Sequence, residues 1–353
     1  EAHNNLGNVL RELDQLDAAI KSYEKALVIN PYYVEAFYSL GLTFYNLGQL
    51  QDTVKNYKQV LTIKPDFARM HNNLGNIYRE LDEHDAAEES YKKAIAIKPA
   101  FYEAHYSLGV IYQERSLLND ALKSYEKVIS INAGLAEVHN NLGTIFSELK
   151  QPEEAEASFK KALAIDPNYS AAHYNFGNTL KDLNRIVEAE ASFRKAIAID
   201  PNHAEAHNNL GNVILNPNRL VEAEISFRKA LAINPNYAEA YNNLGNLLVT
   251  LNKLVDAEAS FRKAITFKID YAQAYSNLGS NLKDLGRLEE AEACCRKAIA
   301  LDQKYAKSHC NLCIILYANG DLDAAIESIE KASFINPKSK TIKLLLTLSL
   351  IHI

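Results

Sequence analysis

The chain has 353 residues, of which 48% are hydrophobic and 23% charged, with a formal net charge of −6 at pH 7. This is the composition of an ordinary soluble folded protein. The acidic balance argues against a nucleic-acid partner, because binding to phosphates needs clustered lysine and arginine. Four cysteines do not indicate a disulfide-stapled secreted domain, so we expect a cytoplasmic protein that does not bind a membrane.

The sequence repeats itself every 34 residues. The segment EAHNNLGNV occupies residues 1–9 and recurs letter for letter at residues 205–213. Cutting the chain every 34 residues from Glu1 aligns ten segments without a gap over residues 1–340. A period of this size is typical of an array in which each unit packs against its neighbours. Positions are therefore numbered 1 to 34 within each repeat.

The apolar pattern of each repeat predicts two helices. Apolar or small residues recur at helical spacing at positions 2, 6, 7, 9 and 10, and again at 16, 19, 23, 26 and 27. A turn separates the two sets, as at Asn216-Pro217-Asn218, and a proline at position 31 ends the second helix in seven repeats. Neither helix can bury its apolar face alone, so consecutive helix pairs must stack.

The segment after the last repeat breaks the pattern. Residues 341–353, TIKLLLTLSLIHI, are apolar on nearly all sides, and thirteen residues are too few to span a bilayer as a helix. We expect a terminal helix there that either caps the array or begins a following domain. A bare apolar face on it would lead to self-association through this C-terminal helix.

The residues that recur in every repeat carry a family resemblance. Small residues at positions 7, 19 and 26, an aromatic residue at 23 and Pro at 31 resemble the tetratricopeptide repeat (TPR). His or Tyr stands at position 3 in nine repeats, where the family usually has Trp. This substitution, together with the segment NNLGN, is similar to the arrays of O-linked N-acetylglucosamine transferase and of bacterial TPR proteins. The resemblance implies an all-α, open, right-handed superhelical solenoid of ten helix-turn-helix repeats, with the first helices lining its inner wall.

A row of asparagines marks one face of the first helix. Position 5 is Asn in eight repeats and Ser in two, and a carboxamide both donates and accepts hydrogen bonds. Such an asparagine ladder could hold an extended backbone whatever its sequence. Alternatively, the amides bond to the adjacent repeat or were copied passively by duplication. The predicted peptide-binding residues are Asn5, Asn73, Asn141, Asn175, Asn209, Asn243, Asn277 and Asn311 at position 5, and Asn8, Asn76, Asn178, Asn212 and Asn246 at position 8.

Two further features border the ladder. Tyr38, Tyr106 and Tyr174 stand at position 4, where they could contact ligand side chains or be ordinary surface tyrosines. Position 1 is mostly Glu, with Arg69 and Lys307 as its basic exceptions, and position 4 has no Lys. These residues argue against a clamp for the acidic ends of partner chains.

Metal and catalytic sites are not expected. The seven histidines at position 3 stand on separate repeats, too far apart to share a zinc ion, and are expected to pack in place of the family Trp. Cys294, Cys295, Cys310 and Cys313 lie close in sequence, but two of them occupy core positions of the repeat. A zinc site is the alternative that this spacing leaves open. We predict no metal, no cofactor and no catalytic residue.

The predicted function is protein–protein interaction, by a scaffold that binds an extended polypeptide in its concave groove. The alternative is the substrate-recruiting arm of a glycosyltransferase or another transferase whose catalytic domain is absent from this chain. Reading of nucleic acid at one base per repeat also uses helical arrays, but the acidic balance disfavours it.

Overall fold

The computed structural model describes residues 1–340, 342–344 and 346. Residues 1–335 form twenty α-helices, two in each repeat, and the described residues contain no β-strand. The prediction of an all-α array of ten helix-turn-helix repeats is therefore confirmed.

The chain divides into two units, Glu1–Pro167 and Asn168–Ile353. The first unit contains α1 (Ala2–Glu12), α2 (Leu16–Ile29), α3 (Val34–Asn46), α4 (Leu50–Ile63), α5 (Ala68–Glu80), α6 (His84–Ile97), α7 (Tyr102–Glu114), α8 (Leu118–Ile131), α9 (Ala136–Glu148) and α10 (Pro152–Ile165). The second contains α11 (Ser170–Asp182), α12 (Ile186–Ile199), α13 (Ala204–Val213), α14 (Leu220–Ile233), α15 (Ala238–Thr250), α16 (Leu254–Phe267), α17 (Ala272–Asp284), α18 (Leu288–Leu301), α19 (Ala306–Ala318) and α20 (Leu322–Ile335).

Within each unit the helices stack in chain order. The second helix of a repeat packs against the first helix of the same repeat and against the first helix of the next repeat, as α16 does with α15 and α17. Several neighbouring first helices also touch, as α5 does with α7, α15 with α17 and α17 with α19. Equivalent residues of consecutive first helices therefore lie side by side on one surface, which we call the first-helix wall.

The glycine at position 7 makes room for the aromatic residue at position 23. Phe261 is fully buried, and a Cβ atom added to Gly245 would lie 2.5 Å from Cε1 of its ring. The sequence pattern suggested that small residues let two helix backbones approach. The structure shows that, at position 7, the missing side chain is replaced by a ring of the second helix.

The turn inside each repeat has a left-handed residue at position 14 in nine of the ten repeats. In the first repeat the amide of Asp14 donates to the Arg11 carbonyl, and that of Gln15 to the Leu10 carbonyl, which satisfies the last carbonyls of the helix. The seventh repeat is the exception. There α13 ends at Val213, and Pro217 follows in the turn, where its ring disfavours helical backbone at the preceding residue.

Arginines link consecutive second helices of the second unit on their exposed side. Arg219 Nη2 lies 2.6 Å from Glu190 Oε1, and its Nε lies 2.8 Å from Glu222 Oε2. Arg287 makes the same link to Glu258 at 2.7 Å. Hydrogen bonds from Arg219 and Arg194 lower the pKa of Glu222 to about 2. Because these groups are solvated, we assign them a small share of stability.

Only part of the segment 341–353 is described. Ile342 is buried and Leu346 is partly buried against the core of the second unit, whereas Leu344 is 61% exposed. The rest of the predicted terminal helix lies outside the described residues. No helix among the described residues is long and apolar enough to cross a membrane.

Candidate functional site

The asparagine ladder lies on the first-helix wall of each unit. Its members occupy the same turn of consecutive first helices, and most are half-buried, so one edge of the amide reaches solvent. Asn73, Asn141, Asn175, Asn209, Asn243 and Asn311 are half-buried, Asn277 is buried and Asn5 is exposed.

In the second unit the ladder amides donate to the preceding repeat. Asn243 Nδ2 lies 3.0 Å from Asn208 Oδ1, and Asn277 Nδ2 lies 2.8 Å from Asn242 Oδ1. The predicted alternative, bonding to the adjacent repeat, is thus part of the structure. Equivalent bonds run from Asn209 Nδ2 to Asn178 Oδ1 at 2.8 Å and from Asn311 Nδ2 to the Ser276 carbonyl at 3.0 Å.

These bonds use the N–H side of the ladder amides. A carboxamide oxygen has two lone pairs, and Asn243 Oδ1 receives no hydrogen bond from the described residues. Asn277 Oδ1 accepts one from Lys307 Nζ at 2.8 Å. In the second unit the N–H groups therefore join the repeats, and the oxygens of Asn243 and Asn277 accept at most one bond each from the described residues.

The ladder is less regular in the first unit. Asn141 Nδ2 lies 3.3 Å from the hydroxyl of Tyr125, and Ser107 Oγ lies 3.5 Å from Asn76 Oδ1, at the limit of a hydrogen bond. A serine is too short to reach as far as an asparagine. The amide-to-amide pattern is therefore a feature of the second unit.

The role of the asparagine at position 8 depends on the residue at position 23. Where that residue is Tyr, its hydroxyl donates to the amide, as Tyr23 does to Asn8 at 2.9 Å and Tyr91 to Asn76 at 2.8 Å. These two amides satisfy a core hydroxyl that would otherwise be buried without a partner. Three repeats with Phe at position 23 also have Asn at position 8. Of these asparagines, Asn178 accepts a hydrogen bond from Asn209, Asn212 is exposed and Asn246 is half-buried.

The three position-4 tyrosines cover the core aromatic residues. Tyr38 stacks on Tyr57 with 5.9 Å between ring centroids, and Tyr106 lies 5.8 Å from the ring at position 23 of its repeat. Tyr174 packs on His203 at 4.6 Å. All three are half-buried, so each has both a structural contact and an accessible edge.

Two sets of residues that the repeat pattern did not single out border the ladder. The position-4 asparagines Asn208 and Asn242 are only 2% and 4% exposed, and they accept the ladder bonds. Half-buried tyrosines at position 33, such as Tyr237 and Tyr271, lie beside them, with Tyr237 Oη 3.5 Å from Asn208 Nδ2. Position 33 is Tyr or Phe in seven repeats, which is the signal that could have revealed the second set.

The position-3 histidines hold the loop between repeats. His207 Nε2 lies 3.1 Å from the Pro201 carbonyl, and His139 Nε2 lies 3.2 Å from the Ala133 carbonyl. A carbonyl can only accept, so Nε2 carries the proton in both rings. Burial lowers the pKa of both histidines. Their expected packing role is what the structure shows.

The cysteines lie at or near the core. Cys295 and Cys313 are buried, and Cys294 and Cys310 are half-buried. Burial raises the pKa of Cys295 to about 12 and that of Cys310 to about 11, so these thiols stay protonated at neutral pH. Among the described residues, no group of three or more His, Cys, Asp or Glu side chains is arranged to hold a metal ion.

Family models of one repeat type match most of the chain. A model described as TPR repeat matches residues 7–48, 41–82, 75–116 and 177–216. Three models described as tetratricopeptide repeat match residues 136–169 and 272–305, residues 158–191 and 226–259, and residues 102–134. No curated protein sequence matches the chain.

Solved structures share the fold. PilW, titled a widely conserved type IV pilus biogenesis factor, is 25% identical, with 60% of this chain and 98% of PilW covered at a TM-score of 0.54. The APC/C hetero-tetramer Cut9–Hcn1 is 13% identical, with 98% and 95% covered at 0.57. Yeast Tom70 is 16% identical, with 99% and 94% covered at 0.50. The last two likenesses speak for the fold alone.

Proposed function

This chain belongs to the tetratricopeptide repeat family, and from that premise we propose that it is a protein-interaction scaffold that holds an extended polypeptide along its first-helix wall. The observation that carries the proposal is the fixed orientation of the ladder. Asn243 and Asn277 are tied by their N–H groups to the preceding repeat, and Asn243 Oδ1 remains available as an acceptor. A row of such oxygens suits the backbone N–H groups of a ligand.

The spacing of the ladder suits an extended chain. Packed helices lie about 8–10 Å apart, and an extended chain advances roughly 3.3–3.6 Å per residue. One ladder contact is therefore expected for about every third ligand residue. A neutral hydrogen bond contributes only about 0.5–1.5 kcal/mol net, so affinity must come from several contacts together.

Other expectations remain proposals. The recruiting arm of a transferase would use the same groove and differs only in what is joined to it. The proposed cytoplasmic location and the proposed absence of nucleic-acid binding rest on composition alone.

A pair of matched double variants tests the ladder. Asn243→Ala with Asn277→Ala removes two ladder amides. Asn208→Ala with Asn242→Ala removes the same two hydrogen bonds from their buried side. We expect both pairs to lower the thermal midpoint, because each loses two inter-repeat bonds. The first pair should weaken binding of a fluorescein-labelled, end-capped twelve-residue Ser/Ala peptide by about fivefold or more, as measured by anisotropy. The second pair should weaken it less, because the ladder oxygens remain and only their orientation is lost.

The controls separate folding from binding. Helicity of all variants is checked by circular dichroism at the temperature of the titration. Equal affinity losses in the two pairs would mean that the amides act only by joining repeats, and no affinity for the peptide in the native protein would remove the proposal.

A further inference from the structure

The first turn of the first helices in the second unit carries a charge gradient. Position 1 is Glu205 on α13, Glu239 on α15, Gln273 on α17 and Lys307 on α19, and all four side chains are exposed. The row begins with two carboxylates, passes through a neutral amide and ends in an ammonium group. It runs beside the ladder, because positions 1 and 5 lie one helical turn apart.

The carboxylates at one end affect the titration of the tyrosines at position 33. Burial raises the pKa of Tyr237, and the nearby carboxylates of Glu239 and Glu205 raise it further. Burial and Glu239 also raise the pKa of Tyr271, to about 12. Glu239 therefore lies within electrostatic reach of both hydroxyls, and no Lys, Arg or His among the described residues pairs with it.

The other end has a cation without a counter-ion. Lys307 Nζ donates to Asn277 Oδ1 at 2.8 Å, and no described carboxylate lies within ion-pair distance of it. An ammonium group has three donors, so two remain for a ligand. Although the side chain is exposed, the surrounding protein atoms lower the pKa of Lys307 by desolvation. An incoming carboxylate would supply the missing charge.

We propose that the second unit selects an extended polypeptide segment with a basic side chain at one end and a carboxylate at the other. The basic side chain binds Glu239 and lies near Glu205, whose Oε2 is already 3.1 Å from His203 Nδ1. The carboxylate binds Lys307. The inference rests on the proposed function, because the neutral ladder between the two ends would hold the intervening backbone.

The structure also sets the separation of the two charges. Glu239 and Lys307 are two first helices apart, and α15, α17 and α19 touch in succession, so the distance is about 16–20 Å. An extended chain covers this in about five or six residues. Because Lys307 is a single cation, the carboxylate bound to it contributes little affinity and mainly sets the direction in which the segment lies.

End-labelled heptapeptides test the charge order. Acetyl-KSASASD-amide carries its charges at the two ends, and acetyl-SAKDSAS-amide has the same composition with the charges adjacent. We expect the first to bind the native protein about tenfold more tightly at low salt, and the difference to shrink in 0.5 M salt, because exposed charges are screened. A third peptide, acetyl-KSASASA with a free C-terminus, shows whether a side-chain or a terminal carboxylate is the preferred source.

Variants assign the two ends. The affinity difference between KSASASD and KSASASN measures the contribution of the carboxylate, and Lys307→Gln should abolish it. The affinity difference between KSASASD and SSASASD measures the contribution of the basic side chain, and Glu239→Gln should abolish it. Each variant should leave the other difference unchanged. Lys304→Gln and Glu289→Gln change the same charges at exposed residues outside the row and should leave both differences intact. Equal binding of the end-charged and charge-adjacent peptides would overturn the inference while leaving the scaffold proposal standing. Loss of all peptide binding would instead count against the scaffold.

Discussion

The same residue type takes different roles at adjacent positions of one repeat. Asn242 and Asn243 follow each other in sequence, yet the first is buried and accepts a bond from the next repeat, and the second is half-buried and donates to the preceding one. At position 8 the partner decides the role, because Asn76 accepts from the hydroxyl of Tyr91. A single hydroxyl on the facing ring thus determines whether the amide serves the core.

The buried histidines predict a loss of stability on mild acidification. Burial lowers the pKa of His139 and His207 from 6.5, so the unfolded chain binds more protons than the folded one below that pH. Stability should therefore fall as the pH drops from about 7.5 to 5. His207→Tyr should show a smaller drop in thermal midpoint over this range, and Tyr is accepted at the same position in Tyr241 and Tyr275.

The carboxylates that pair with arginine affect the pH dependence of stability in a more acidic range than the histidines do. The pKa of Glu222 is lowered from 4.5 to about 2, so its contribution to stability is lost only below about pH 4.5.

For the histidine prediction, an unchanged pH dependence in His207→Tyr would show that this histidine does not control stability between pH 5 and 7.5.

At the scale of the element, each helix pair is matched across positions 7 and 23. Gly stands opposite Tyr or Phe in eight repeats, opposite Cys295 in the ninth, and in the tenth the pair is Cys313 with Ile329. A smaller residue on the second helix thus accompanies a larger one on the first. Removing the ring frees the volume that a Cβ atom would need.

This matching predicts a rescue. Gly245→Cys should destabilise by about 1–3 kcal/mol or more, because its Cβ would overlap the ring of Phe261. Cys is a better helix former than Gly, so helix propensity alone predicts that this substitution stabilises the protein. Adding Phe261→Ile recreates the pair of the tenth repeat, and the double variant should be more stable than the sum of the two single changes predicts. Urea unfolding measures all three, and strict additivity would show that the two sites do not compete for space.

At the scale of the whole molecule, the repeats are alike in their cores and different on their surfaces. The buried positions recur through both units, whereas position 1 varies: it is Glu in the first unit except for Arg69, and in the second it passes from Glu205 and Glu239 through Gln273 to Lys307. The C-terminal end adds a further difference, since Leu344 is exposed while Ile342 is buried.

The exposed C-terminal leucine leads to a prediction about association. We expect the 353-residue chain to self-associate in light scattering, because contiguous apolar surface tends to be covered. Leu344→Glu should shift the mass towards the monomer. Val255→Glu, an equally drastic change at a residue of α16 that is 71% exposed, should not. A monomer for the unchanged chain would mean that this end is not an interface.

The sequence by itself determined the array. The 34-residue period, the helical spacing of apolar positions and the proline at position 31 are local signals, so the helix pairs, their turns and the stacking of repeats follow from them. The asparagine ladder and the position-4 tyrosines were also visible as a face of one helix.

Tertiary structure alone decided what those polar residues bind. The ladder bonds join residues 31 or 35 positions apart, such as Asn209 and Asn178 or Asn243 and Asn208. The acceptor depends on how two neighbouring first helices lie against each other. Periodicity places a side chain on a face but does not say which atom of the next repeat meets it. For the same reason the recurrence of Tyr or Phe at position 33, although visible in the sequence, did not reveal that these rings lie beside the ladder.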